Sequence, residues 1–186
     1  VGYCGFVENG VCRTRVVAPG STIWVFENVQ KAALRAADHG RLRPWRFLMI
    51  EGDGRKKLGE LFIAAEKQKI DNLSEKKCEL AANKAMRAPT IVIVIACIKD
   101  HPKIPRIEQI ISAGAAAQNM LTAAYAQGIG AVWRTGDLAY DSKFSAELGL
   151  TRNEAIVGFL YLGTASASCE AKAPKMNTKD YFQSWP

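Results

Sequence analysis

At 186 residues the chain is long enough to bury one sizeable core and short for two, so a single domain over 1–186 is expected. Apolar residues make up 48% and charged residues 23%, the makeup of an ordinary soluble globular protein, and the longest apolar run, Ile91 to Ile98, is far too short to cross a bilayer. A formal charge of +7 calls for an anionic partner without choosing among a nucleotide's phosphates, a nucleic acid and an acidic surface.

The opening "VGYCGFVENGV" has no basic start and no sustained apolar stretch, so no secretory leader is predicted. Cys4, Cys12, Cys78, Cys97 and Cys169 form an odd set at irregular spacing with no CxxC pair. That suits a reduced, cytoplasmic setting better than a disulfide framework or a zinc site. After the turn signal Pro19-Gly20, the residues Phe26, Val29, Ala33, Leu34 and Ala37 recur near the helical period, and Gly40 stands where a helix stops. Residues 23–39 therefore read as a helix, on which Arg35 and His39 fall one turn apart on one face.

The stretch "DHGRLRPWRF" (38–47) reads most simply as a solvated turn, with Trp45 and Phe47 entering the core and the arginines facing water. A strand at 45–52 and a helix at 55–68 follow, the helix carrying mixed charges on its exposed side. Between them, "EGDGRKKLGE" sits where a phosphate-cradling loop would, but its glycines read GxGxxxxG and Gly59 is followed by Glu60, so a plain turn is expected. The β-branched run 91–98 is predicted to be a strand buried on both faces. Residues 106–128 read as a long alanine-rich helix ending at Gly128, whose small side chains admit another helix or a flat ligand. A strand at 131–136, a short helix at 141–148 and a strand at 155–163 complete an α/β or α+β sandwich with about four strands. The tail "DYFQSWP" carries Tyr181, Phe182 and Trp185, which are expected to pack on this subunit or on a partner.

Nucleophilic catalysis has little to work with. His39 and His101 are the only histidines, no GxSxG elbow is present, and His101 reads as a loop residue. Between Lys31 and Ile50, by contrast, five Lys or Arg residues (31, 35, 41, 43 and 46) face one acid, Asp38. Such a surface suits a ligand that is both flat and anionic, a phosphorylated flavin or single-stranded nucleic acid. In the second case Arg41, Arg43 and Trp45 would form the footprint, with affinity falling as salt rises. A further Trp-Arg pair, Trp133-Arg134, favours the flavin, because one planar cofactor could be gripped from two remote segments.

Three segments together, "KAALRAADHGRLRPWRFLMIEGDGR", "SAGAAAQNMLTAAYAQGIGAVWRTG" and "IVGFLYLG", closely resemble the bacterial nitroreductase family, in particular its small NAD(P)H-dependent branch. The resemblance runs from about residue 29 to 164. It implies an α+β sandwich with a central, mostly antiparallel sheet flanked by helices. It further implies a homodimer with two FMN sites at the subunit interface, across which C-terminal segments often reach. On this resemblance Arg35 and His39 lie beside the FMN, Arg35 stabilising the anionic reduced flavin and His39 restricting access over the ring. Trp133, Arg134 and Thr135 line the flavin and phosphate region, and Ala123, Ala124, Tyr125, Ala126, Gln127 and Gly128 correspond to a stretch assigned to nicotinamide nucleotide binding. NADH or NADPH would deliver the hydride and a nitroaromatic or quinone would accept it in a ping-pong cycle, the cofactor carrying the chemistry. No metal, nucleic acid or membrane is implied. One departure stands out: the family's Arg-Arg-Ser near the end of the first helix is replaced by Gly10, Val11 and Cys12, of which Gly10 and Val11 cannot pair with a phosphate. Arg13 or Arg15 could stand in, or the chain could be a nitroreductase fold that has lost FMN and serves as a binding module.

Overall fold

The computed structural model of the chain describes residues 16–17, 23–165 and 175–185. Gly10, Val11, Cys12, Arg13 and Arg15, with Cys4 and Cys169, lie outside the described residues. In chain order the elements are β1 (Val16–Val17), α1 (Ile23–Ala33), β2 (Trp45–Glu51), α2 (Gly54–Lys69), α3 (Glu75–Lys84) and β3 (Thr90–Cys97). Then come α4 (Arg106–Ala126), β4 (Ile129–Arg134), α5 (Ser142–Glu147) and β5 (Glu154–Ala165), with single 3₁₀ turns at His39–Arg41, Asp137–Tyr140 and Thr178–Asp180.

All strand pairings in the sheet are antiparallel, as an α+β sandwich requires. The long β5 is its spine. β3 runs along one side of it and β4 along the other, and β2 pairs with the far edge of β3. Thr164 pairs with both Val17 and Ile129, so β1 lies on the side of β5 opposite β4. The register of β3 on β5 jumps from Val94↔Gly158 to Ile95↔Ile156, leaving Val157 as the extra residue of a bulge.

β3 is buried on both faces because successive side chains alternate sides. Val92, Val94 and Ala96 join Leu160 and Leu162 beneath α1 and α4, whereas Ile91, Ile93 and Ile95 join Phe159 and Tyr161 beneath α2 and α3. On the first face the alanines of α4, among them Ala113, Ala116, Ala117 and Ala124, share a core with Val29 and Ala33 of α1. Their small size lets the helix backbones approach, close enough for the Asn119 amide to donate to the Ala32 carbonyl at 3.2 Å. The occupant of the alanine-rich face is therefore a neighbouring helix. On the second face Phe62, Phe144 and Phe159 pack in tilted and edge-to-face pairs with ring centroids 5.6–6.2 Å apart.

Gly59 has a packing role and no phosphate role. A Cβ there would stand 3.2 Å from the Ala82 carbonyl oxygen, so the bare glycine is what brings α2 against α3. The turn that opens α2 runs through Gly52 at φ +52, as the plain-turn reading required. α3, by contrast, has no counterpart among the sequence-predicted elements.

Candidate active site

β4 sets up the site by its pleat. Ala131 and Trp133 turn toward α4, while Val132 and Arg134 turn toward α2 and α3. Just beyond the strand the chain swings through Gly136 at φ +98 into the 137–140 turn. Between that bend and the C-terminal ends of α2 and α3 lies a cavity of about 440 Å³. The aromatic side chains of Phe62, Phe159 and Tyr161 line it, with Arg134, Thr135 and Gly136 from the end of β4 and Lys69, Lys84 and Arg87 from α2, α3 and the turn after α3.

Charge in this cavity is unbalanced. Lys84 is paired with Glu66 at 2.9 Å, but the side chains of Lys69, Arg87 and Arg134 make no hydrogen bond or ion pair with any described residue. Asp137 is the other acid on the lining. Burial pushes the Tyr161 phenol up, and Arg87 and Arg134 act against that shift, so both guanidinium groups bear on its hydroxyl. A cavity with an apolar base and unpaired cations on its lining is a site for a ligand bearing an anionic group. Arg87 and Lys69 were not legible as site residues, because they come from the ends of helices with no motif of their own.

Arg35 and His39 sit away from this cavity, and the helical reading of 23–39 is corrected. α1 ends at Ala33, after which the Arg35 and Ala36 amides donate to Ala32 and Ala33 in tightening i→i+3 turns. Arg35 and His39 are therefore not one turn apart on a helix face. Asp38 competes with the helix by accepting the amides of Leu42 (3.1 Å) and Arg43 (2.9 Å), Gly40 adopts φ +68, and Pro44 bars Arg43 from the helical region. Leu34 and Ala37, which carried the apolar spacing past Ala33, are both exposed, so the pattern ran on beyond the true end of the helix. Arg35 is exposed, and the His39 Nδ1 lies 2.6 Å from Glu108 Oε2 in the first turn of α4.

Other expectations for the 38–47 stretch mostly hold. Trp45 is buried and Phe47 packs on the α1–α4 core, while Arg41 and Arg43 are exposed. Arg46 is only partly exposed and is bound by Glu154 rather than left free to face water. Arg43 is tied to Asp38 at 3.0 Å, so two members of the nucleic-acid footprint, Arg43 and Trp45, are engaged within the fold.

Ala123, Ala124, Tyr125, Ala126, Gln127 and Gly128 end α4 on the face away from the cavity. Ala124 is fully buried, Gln127 accepts from Asn28 at 3.1 Å and donates to the Ala123 carbonyl, and Gly128 stops the helix at φ +73. Trp133 also turns away from the cavity, its indole filling the space above Gly158 where a Cβ would collide with it. Arg134 and Thr135 are thus the expected residues that line the cavity. In one chain Arg35 and His39 lie on the α1–α4 side of the sheet and the cavity on the other. Among the described residues, no group of three His, Cys, Asp or Glu side chains is placed to hold a metal, and no helix is long and apolar enough to cross a membrane.

Comparison with known proteins turns this geometry into a kinship. Residues 25–164 match the Nitroreductase family. The chain belongs to the nitroreductase family. This nitroreductase is 39% identical over 155 residues to the Escherichia coli (strain K12) protein named "Putative NAD(P)H nitroreductase YdjA", a match covering 81% of each chain. Its fold is that of the nitroreductase-like family protein of Bacillus cereus, with a TM-score of 0.81, 24% identity and coverage of 98% and 96% of the two chains. The FMN-dependent nitroreductase NfnB of Mycobacterium smegmatis, whose structure is a complex with NADPH, superposes with a TM-score of 0.77 at 14% identity over 99% and 98%. The family is one of oxidoreductases, so the nitroreductase is an enzyme of that class.

Proposed function

We propose that this nitroreductase is an NAD(P)H-dependent FMN oxidoreductase that works as a homodimer and reduces nitroaromatic or quinone-like acceptors in a ping-pong cycle. The observation that carries this reading is the cavity beside β4. Its size falls in the range that holds ligands of about 300–1,000 Å³, aromatic side chains line it, and it collects three unpaired cations. The residues present fit FMN: Arg134, Arg87 and Lys69 offer charge for a phosphate, and the buried rings of Phe159 and Tyr161 close an apolar base beneath it. Those cations belong to β4 and to the ends of α2 and α3, so the reading does not depend on Gly10, Val11 and Cys12.

Bound at this cavity, FMN would supply the two-electron chemistry that links NADH or NADPH to the acceptor. The chain binds, orients and excludes water. Thr135 and Gly136 bring backbone close to the cavity because Gly136 takes a conformation that side chains resist. Trp133 acts through position, wedged over Gly158 so that Arg134 is presented on the opposite side of the strand. Arg35 and His39 reach a cofactor only from a second subunit, since the sheet separates them from their own chain's cavity. That supports a site shared between two copies of the chain. The outward positions Ile107 and Ile111 of α4, with Tyr181, Phe182 and Trp185 of the tail, all exposed, supply apolar surface for the interface. A reducing, cytoplasmic setting accords with the free thiols of Cys78 and Cys97.

Titration of the apoprotein with FMN and with riboflavin tests the assignment. Arg134→Ala and Arg87→Ala are each expected to weaken FMN by about tenfold or more, the worth of a charge-assisted hydrogen bond, and to leave riboflavin binding unchanged. Equal losses for both ligands, or none for either, would refute it.

A further inference from the structure

The connection from α1 to β2 is held far more tightly than a connection needs to be. Asp38, its side chain 2% exposed, accepts the amides of Leu42 and Arg43 and the Arg43 guanidinium. Lys99 donates to the Leu42 carbonyl at 2.5 Å, and the Ile104 Cδ1 occupies the place where a Cβ on Gly40 would stand. Arg41 at φ +55 and Arg43 at φ +50 take backbone conformations that cost a non-glycine residue about 1 kcal/mol or more. Such strain persists only where the surroundings over-determine it. The turn they enforce carries His39 toward the N-terminal end of α4.

The imidazole itself is not fixed by packing, since its side chain is 60% exposed. It is fixed by one contact, Nδ1 to Glu108 Oε2 at 2.6 Å. Glu108 sits in the first turn of a 21-residue helix, where the helix dipole favours a carboxylate. A carboxylate only accepts, so at that distance Nδ1 is the protonated nitrogen and Nε2 is the ring nitrogen that Glu108 leaves unengaged.

We propose that Glu108 is a positioning residue for His39: it holds the ring with Nδ1 protonated and leaves Nε2 as the nitrogen that meets the cofactor of the shared site. This rests on the reading that places His39 beside FMN. Glu108 acts only through His39, and its own exposure of 43% leaves room for substitution without disturbing the core.

The test uses FMN-loaded protein with ¹⁵N-labelled histidine, the His39 signals being assigned by their loss in His39→Gln. Wild type is expected to show one tautomer, protonated at Nδ1. Glu108→Ala and Glu108→Gln should lose that preference, and Glu108→Asp should recover part of it. In parallel, Glu108→Ala is expected to weaken FMN by about three- to tenfold, the worth of one hydrogen bond, and to shift the flavin absorption band, again with partial recovery in Glu108→Asp. An unchanged His39 tautomer in Glu108→Ala would overturn the inference. If His39→Gln alters FMN affinity and spectrum while Glu108→Ala alters neither, the inference falls and the placement of His39 stands. If His39→Gln itself leaves both unchanged, the placement of His39 falls and takes the inference with it.

Discussion

Glu154 gathers more partners than any other carboxylate described. Its oxygens accept both Arg46 contacts (2.5 and 3.0 Å), the Thr151 amide (2.9 Å) and the Cys97 thiol (3.4 Å). The Arg46 hydrogen bond, aided by Thr151 and Cys97, outweighs burial and holds the carboxyl at about 2 against an ordinary 4.5. Because the folded value is the lower one, the stabilisation is whole above the unfolded pKa and is lost as pH falls through about 2. Glu154→Gln is therefore expected to cost about 1–3 kcal/mol at pH 7, discounted for the partly exposed Arg46. In denaturant titrations the gap from wild type should narrow between pH 4.5 and 2, and a gap that ignores pH would contradict the assignment. Burial, with the Glu154 contact second, pushes the Cys97 thiol up to about 11. Only the thiolate is the nucleophile, so Cys97 should resist iodoacetamide at pH 7 in the native protein and react once it is unfolded, as peptide mapping would show. None of this was legible in the sequence, since Arg46 and Glu154 lie 108 positions apart and neither belongs to a motif.

At the scale of elements the legible parts were those whose pattern had one physical cause. β3 could be read because Ile91 to Ala96 are buried on both faces, and the end of α4 because Gly128 stops it. α3 could not, because "EKKCELAANK" buries only Ala81 and exposes Leu80, leaving no apolar stripe to find. The cavity escaped for another reason: its lining comes from the ends of α2 and α3, the bend after β4, and the middle of β5, positions that only the fold brings together. β4 and β5 are locked where Trp133 lies over Gly158, whose Cβ would overlap the indole and stand 3.0 Å from the Arg134 carbonyl. Gly158→Ala should therefore displace Trp133 and the Arg134 end of β4, lowering stability by about 1–3 kcal/mol and weakening FMN binding. Unchanged thermal unfolding together with unchanged FMN affinity would show that the indole does not depend on the glycine.

For the whole molecule the decisive feature is the sheet that divides the expected site. Arg134 and Thr135 face the cavity on one side, and Arg35 and His39 belong to the other, so the resemblance and the geometry agree only if two chains complete each other's sites. The tail points the same way: Tyr181, Phe182 and Trp185 are 66%, 78% and 95% exposed on their own chain, a surface that calls for cover from a partner. Removing residues 175–186 is accordingly expected to shift the chain toward monomer in light scattering and to reduce the FMN it retains, whereas an unaltered dimer would deny the tail that role. The central claim, that the cavity beside β4 holds a working flavin, is tested most directly by the visible absorption spectrum of the purified protein after incubation with FMN and removal of the unbound cofactor. A retained flavin spectrum that bleaches on addition of NADPH or NADH is the expected result. A colourless protein that keeps no FMN would contradict the account and leave a nitroreductase fold acting as a binding module.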